Sequence, residues 1–142
     1  ALGKRMRDLF DQRTRRFLTE QPFGQTFKSD VLGNLEVLAD DWHGANYEFE
    51  NKDLDNLSAE MVRLASEFCN KISLYAGPPR NREIGFLSVP GDQERSDDLC
   101  SESTWDHIRE LQALATSLME EYEKFERTYR RLAPDEYKEA VT

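Results

Sequence analysis

Apolar residues recur along this chain at the three- and four-residue spacings typical of amphipathic helices. The pattern predicts four helices, at about 2–20, 29–43, 53–76 and 102–132. Glycine and proline, which end helices, mark the breaks between them. The fourth helix carries the longest apolar stripe, which runs from Trp105 to Leu132.

Four amphipathic helices predict an all-α fold, in which residues 1–142 form a single domain, an antiparallel bundle of about four helices. A chain of 142 residues is long enough to bury a core of its own. An alternative arrangement stays open at this point. In it, the third and fourth helices form a long coiled-coil hairpin, while the N-terminal helices fold back on it or pair with another chain.

One long loop, 77–101, precedes the longest helix. Loops of this length are uncommon in a compact domain and are usually functional or disordered. We expect its apolar island, 84–89, to pack back on the bundle, where a short strand is one conformation open to it. We expect its polar stretch, 92–100, to be mobile. The fourth helix is about 45 Å long at roughly 1.5 Å per residue, so we expect its end to project or to meet a partner.

Charge narrows the classes of partner. The formal net charge is −9, and nucleic acid is not an expected partner because phosphate binding needs a basic surface. The charge is unevenly spread: residues 1–28 carry seven Lys or Arg against three Asp or Glu, whereas residues 29–76 carry three against ten. The first segment therefore complements the second, which favours a homodimer that exchanges the first helix.

The N-terminal helix carries Arg15 and Arg16 on its polar positions, whereas Arg13 interrupts the apolar stripe, and we take all three as candidate binding residues. Three interpretations stay open. In the first, the helix is the charge complement of an acidic bundle. In the second, it is a juxtamembrane segment that follows a membrane span upstream of Ala1 and faces an anionic inner leaflet. In the third, it contacts nucleic acid or an acidic partner.

A second candidate site for an anion lies in the loop, where Arg80 and Arg82 follow a stiff Gly-Pro-Pro turn. Two guanidinium groups close together suit a carboxylate or a phosphate. The same residues also make an ordinary helix end with a solvated turn. The loop lacks the glycine spacing of a phosphate-cradling loop, so we infer no nucleotide site and predict no cofactor.

The alternative to a binding role is a small all-α metal-dependent hydrolase that uses Glu and His side chains on helices. Glu120 and Glu123 stand at helical spacing, and His43 and His107 each have a carboxylate three residues away. Ion pairs with the arginines that follow explain the acidic run without a metal. No nucleophile stands beside a base in the sequence, so we predict no catalytic residue and no metal site.

The two cysteines, Cys69 and Cys100, have neither the spacing of a zinc site nor the number of a disulfide framework. We interpret both as reduced thiols, which favours a cytoplasmic setting, and Cys69 as a small core residue. No stretch approaches the roughly 18 consecutive apolar residues that a membrane span requires.

These observations favour a non-catalytic helical interaction or scaffold domain. We expect its partner to be another protein or a second copy of the chain, bound through the third and fourth helices. The basic first helix offers a further contact, with an anionic membrane surface. The expected localisation is cytoplasmic, at the inner face of a membrane under the juxtamembrane interpretation.

Overall fold

The computed structural model describes residues 1–80 and 84–134. Within them the structure is helical apart from a sheet of two short strands, which confirms the all-α class. The elements, in chain order, are α1 (Leu2–Leu9), α2 (Gln12–Glu20), β1 (Phe27–Lys28), α3 (Gly33–Asp41), α4 (Lys52–Tyr75), β2 (Phe86–Leu87), α5 (Asp92–Asp97) and α6 (Glu102–Leu132). Short 3₁₀ turns at Ser29–Leu32 and Ala45–Tyr47 precede α3 and α4.

The long helices run antiparallel around a common core. Tyr75, at the end of α4, stacks on His107 near the start of α6, with ring centroids 3.8 Å apart. Phe49, just before α4, meets Phe125 in the second half of α6 at 5.5 Å. Helix α3 packs on α4 and on α1, while α2 packs on α6. The four positions of the expected bundle are therefore filled by α1 with α2, by α3, by α4 and by α6.

Apolar side chains from every one of these positions fill the core. The largest that are fully buried are Phe10, Phe23, Phe68, Phe125, Met6, Leu35, Leu38, Met61, Leu111 and Leu118. Burying one such side chain contributes about 1.5–3 kcal/mol relative to leaving it in water. The apolar stripe of α6 lies almost wholly inside this core, since only its ends, Trp105 and Leu132, are exposed.

The single helix expected over residues 2–20 is two helices. Phe10 leaves helical geometry with φ −94° and ψ 56°, and the Asp11 carboxylate then accepts a hydrogen bond of 2.9 Å from the backbone N–H of Thr14. A carboxylate that caps a new N-terminus ends one helix and begins another. The apolar spacing runs unbroken through this break, so spacing alone does not show it.

The helix expected over 29–43 is likewise shorter, because residues Ser29–Leu32 form a 3₁₀ turn and α3 begins at Gly33. It ends before Gly44, which adopts φ 90°, a backbone conformation that side chains other than glycine rarely accept. The helices expected over 53–76 and 102–132 agree with α4 and α6 to within one residue. Both have a capping side chain, Asn51 and Ser101, at their first turn.

The C-terminal part of α6 does not project freely from the bundle. Helix α1 packs along it, and Tyr129 is only 5% exposed as a result. The backbone of Gly3 lies so close to the Tyr129 ring that a methyl carbon at Gly3 would overlap it. Of the apolar stripe, only Leu132 extends beyond this contact with substantial exposure.

The long loop is largely structured. Its island forms β2, which pairs antiparallel with β1 in the register Phe27 with Leu87 and Lys28 with Phe86. The bridge between Gly77 and Ser88 extends this pairing. The stretch 92–100, expected to be mobile, contains helix α5 instead. That expectation was wrong because polar composition alone does not show that the residues hydrogen-bond to each other and to α6.

The Glu94 carboxylate joins α5 to the start of α6. It accepts hydrogen bonds from the backbone N–H groups of Gly91, at 3.0 Å, and Ser101, at 2.7 Å. The Thr104 hydroxyl donates a third, at 3.0 Å. These donors favour the charged form and lower the Glu94 pKa from 4.5 to about 2.

Replacing Gly3 with alanine tests the close approach of α1 to α6. We expect Gly3→Ala to lower the free energy of unfolding by about 1–3 kcal/mol, since the buried Tyr129 ring must move. The measurement is chemical denaturation followed by circular dichroism. Gly33→Ala is the matched control: its backbone is α-helical and the new methyl group meets no atom within 4 Å. It should be neutral or stabilise by about 0.4–1 kcal/mol, and equal losses in both variants would contradict the packing.

Glu94→Gln tests the junction between α5 and α6. Because the folded pKa lies below the ordinary value, the charged carboxylate stabilises the fold above about pH 4.5, and this contribution disappears as the pH falls towards 2. We expect the variant to melt at a lower temperature at pH 7 and to lose less stability on acidification than the parent. Thermal unfolding at pH 2–7 measures both effects. Glu102→Gln, which removes a carboxylate from the same region of α6, is the matched control and should melt closer to the parent at pH 7.

Candidate functional site

The basic residues of the N-terminal segment lie on the outer side of the bundle, because the apolar sides of α1 and α2 are turned into the core. The fully exposed cations of this segment are Lys4, Arg5, Arg13, Arg15, Arg16 and Lys28. Arg7 is half-buried. The three arginines predicted from the sequence as binding residues are therefore accessible.

Two of these cations have side-chain partners within the fold, and the Nε atom of a third, Arg15, donates to the backbone carbonyl of Asp11 at 3.4 Å. Arg13 forms an ion pair of 2.5 Å with Asp30, in which both side chains are more than half exposed. Such a pair in water contributes at most about 1 kcal/mol and is easily exchanged. The Arg5 guanidinium lies over the rings of Trp42 and Tyr47, 5.7 and 5.1 Å from their centroids. Arg5 therefore ties α1 to the end of α3.

The other four exposed cations have no carboxylate within 4.0 Å in the part of the chain that the structure describes. They are Lys4, Arg15, Arg16 and Lys28. Together with Arg13 they form what we call the basic face. Its positive charge stands on a protein whose formal net charge is −9.

A groove of about 810 Å³ borders this face between α1–α2 and α6. Three of its charged residues pair with each other: the Glu126 carboxylate meets Arg7 at 3.1 Å and Arg130 at 3.7 Å, the latter an expected helical pair. The Tyr122 hydroxyl donates to the same carboxylate at 3.3 Å. Burial, and then the charge of Glu126, raise the Tyr122 pKa to about 12, so the hydroxyl stays protonated. Arg15 lines this groove.

A second groove, of about 410 Å³, lies between α2 and β1, and we call it the α2–β1 groove. Phe17, Phe27 and Val31 are its apolar lining residues. Its cations are those of Arg13, Arg16 and Lys28, and its acidic residue is Glu20. The fold thus brings Arg13 and Arg16 to one groove and Arg15 to the other.

The anion site expected in the loop is partly neutralised. Arg80 donates its backbone N–H to the Asp92 carboxylate at 3.1 Å, and its guanidinium lies 3.8 Å from the other oxygen. The side chain of Arg80 is 88% exposed. Arg82 lies outside the described residues, so the pair of arginines stays a prediction.

A third groove, of about 620 Å³ between α3 and α4, has Cys69 among its lining residues together with Glu36 and Asp40. Burial, and then these two carboxylates, raise the pKa of the Cys69 thiol to about 12. A thiol needs to ionise to act as a nucleophile. The Cys69 thiol, which is half-buried against the core, therefore stays protonated at neutral pH.

The two histidines of the metal-dependent alternative have other partners. His107 stacks on Tyr75, and its expected partner Glu110 accepts a hydrogen bond of 2.6 Å from the Tyr75 hydroxyl. The His43 Nε2 atom lies 2.7 Å from the carbonyl oxygen of Ala39 in the last part of α3. In residues 1–80 and 84–134, no three His, Cys, Asp or Glu side chains form a group that could hold a metal ion.

The helices of the described region include none long and apolar enough to cross a membrane. The stripe on α6, through which a homodimer was expected, is occupied by packing within the chain. A homodimer therefore stays a prediction, and it would need a different surface.

No protein family, curated protein or solved structure matches this chain in our comparisons.

Sequence reasoning missed the partners that complete the α2–β1 groove. Phe27 and Lys28, which line the groove, belong to β1. This strand is held by pairing with β2, almost sixty residues later in the chain. Two residues give too short a pattern to indicate a strand. The available signal was the run Phe23 to Lys28, which places two aromatic residues and a cation just after the basic helix.

Thiol labelling tests the assignment of Cys69 to the core. With a pKa of about 12 in place of 9.0, Cys69 has roughly a thousandfold fewer thiolates at pH 8 than an unperturbed thiol. We expect Ellman's reagent to modify Cys69 in the folded protein far more slowly than in guanidinium chloride. The Cys69→Ser variant retains Cys100 as its one cysteine, so comparison with the parent shows which signal comes from Cys69. Rapid modification of Cys69 in the folded state would contradict its burial.

Proposed function

We propose that this bundle is a non-catalytic interaction domain, which binds an acidic segment of a partner protein through its basic face. The observation that supports the proposal is the set of four exposed cations without a carboxylate partner among the described residues. These cations stand on a chain with a formal net charge of −9. Cations without a carboxylate partner provide attraction for an acidic chain.

The shape of this surface favours a polypeptide over a planar membrane. Its cations are divided between two grooves, with Arg15 at one and Arg16 and Lys28 at the other. Clefts admit an extended chain, whereas a bilayer presents a flat sheet of charge. The basic face also lacks an apolar anchor, since the large hydrophobic side chains exposed in the described region lie elsewhere, at Val37, Leu74, Ile84, Leu99, Trp105 and Leu132.

Charge reversal on the basic face tests the proposal. The probe is a fluorescein-labelled peptide of alternating Glu and Leu, compared with a Gln and Leu peptide of the same length. We expect the acidic peptide alone to bind, and we expect Arg16→Glu combined with Lys28→Glu to weaken it at least about tenfold, which equals about 1.4 kcal/mol. Fluorescence anisotropy at low and at physiological salt measures the affinities, and binding should weaken with salt.

The matched control is Arg109→Glu combined with Lys124→Glu. Both are exposed cations on α6, and the two substitutions change the net charge by two each, four in all, as in the test variant. We expect this control to lose much less affinity, because the charge is removed from another surface. Equal losses in both variants would mean that only the overall charge matters.

Vesicles separate the protein partner from a membrane. Anionic vesicles rich in phosphatidylserine should bind more weakly than the acidic peptide under the same salt conditions. Binding to vesicles that depends on Arg16 and Lys28, without binding to the peptide, would replace the proposal with membrane attachment. Light scattering in the same buffers shows whether a second copy of the chain occupies the basic face in place of an acidic partner. A dimer that is lost in the variant with Arg16→Glu and Lys28→Glu would mean that the chain is its own partner.

A further inference from the structure

The α2–β1 groove combines an apolar floor with a positive rim. Phe17 and Phe27 are 6% and 5% exposed, and their ring centroids lie 5.3 Å apart. Val31, on the 3₁₀ turn before α3, is half-buried and lines the same groove. An apolar side chain placed here would leave water and contact carbon atoms on the floor.

The rim carries charge on both sides of this floor. Arg13 and Arg16 are one helical turn apart on α2, and Lys28 is on β1. Against these three cations stand Glu20 and the Asp30 partner of Arg13. With both carboxylates counted, the balance is positive by one charge.

The parts of the groove are held in place before any ligand binds. Pairing with β2 fixes β1, and the backbone N–H of Ser29 donates to the carbonyl of Gly85 at 2.7 Å. Beneath the floor, Phe17 meets Phe23 and Phe68 edge to face, with centroids 5.6 and 6.1 Å away. A site assembled in advance loses less conformational entropy when it binds.

We infer that the α2–β1 groove is a specificity pocket for one apolar side chain flanked by carboxylates in an extended acidic segment. Phe17, Phe27 and Val31 receive the apolar group, and Arg13, Arg16 and Lys28 receive the carboxylates on its two sides. The inference rests on the proposed function and adds to it a sequence preference. The volume of about 410 Å³ lies within the range of about 300–1,000 Å³ for binding clefts, towards the small end. A single side chain with its neighbouring backbone therefore suits it better than a bulky ligand.

Two peptides of equal charge test the preference. The first is Glu-Glu-Leu-Glu-Glu and the second is Glu-Glu-Ser-Glu-Glu, both labelled at the N-terminus and measured by fluorescence anisotropy. We expect the leucine peptide to bind about tenfold more tightly, because only leucine gains contact with the apolar floor. The difference should change little with salt, whereas both affinities should fall as salt rises.

Val31→Trp tests the pocket in the protein, because a larger side chain on its wall fills the space without altering any charge. We expect this variant to bind both peptides with the affinity that the parent has for the serine peptide. Val37→Trp is the control, since Val37 is an exposed valine on α3 outside the groove. It should keep the tenfold preference, and circular dichroism verifies that both variants fold.

The outcomes separate the two proposals. Equal binding of the leucine and serine peptides by the parent, at affinities that Arg16→Glu with Lys28→Glu lowers, would overturn the pocket and leave the basic face standing. A leucine preference that survives Val31→Trp would overturn the pocket as well, because the apolar contact would lie elsewhere. Absence of binding to any acidic peptide would overturn both proposals.

Discussion

The candidate surface depends on the packing of α1 and α2 against the second half of α6. Phe10 stacks on Tyr122 with ring centroids 4.3 Å apart, and Gly3 allows α1 to approach the Tyr129 ring. This contact turns the apolar side of the N-terminal segment inward. Lys and Arg are almost never buried without a partner, so they occupy the side that remains. The position of the positive charge is therefore a consequence of how the core is filled.

Charge and shape contribute differently to binding on such a surface. Unpaired cations act over a distance of about one Debye length, roughly 8 Å at physiological salt, and they attract any acidic chain. Contact with an apolar floor acts only at close range, but it distinguishes one side chain from another. The α2–β1 groove offers both properties.

The long loop before α6 supports this arrangement. Its strand β2 holds β1 in register, which places Phe27 and Lys28 opposite the basic side of α2. At its other end, the Glu94 carboxylate joins α5 to the first turn of α6 through three hydrogen bonds. The loop thus connects the start of the longest helix to the wall of the groove. This explains why a segment of mixed composition and several prolines remains ordered over most of its length.

The sequence by itself determined the all-α class, the bounds of the two long helices, the apolar character of the α6 stripe and the exposure of Arg15 and Arg16. These follow from spacing and polarity, because a helix whose apolar residues share one side must bury that side. It did not determine the break at Asp11, since a cap is visible only when its carboxylate meets a particular N–H. Nor did it determine the groove. Lys28 joins Arg16 there through a strand pairing between distant residues, and such pairing is decided by the packed chain as a whole, not by any local pattern.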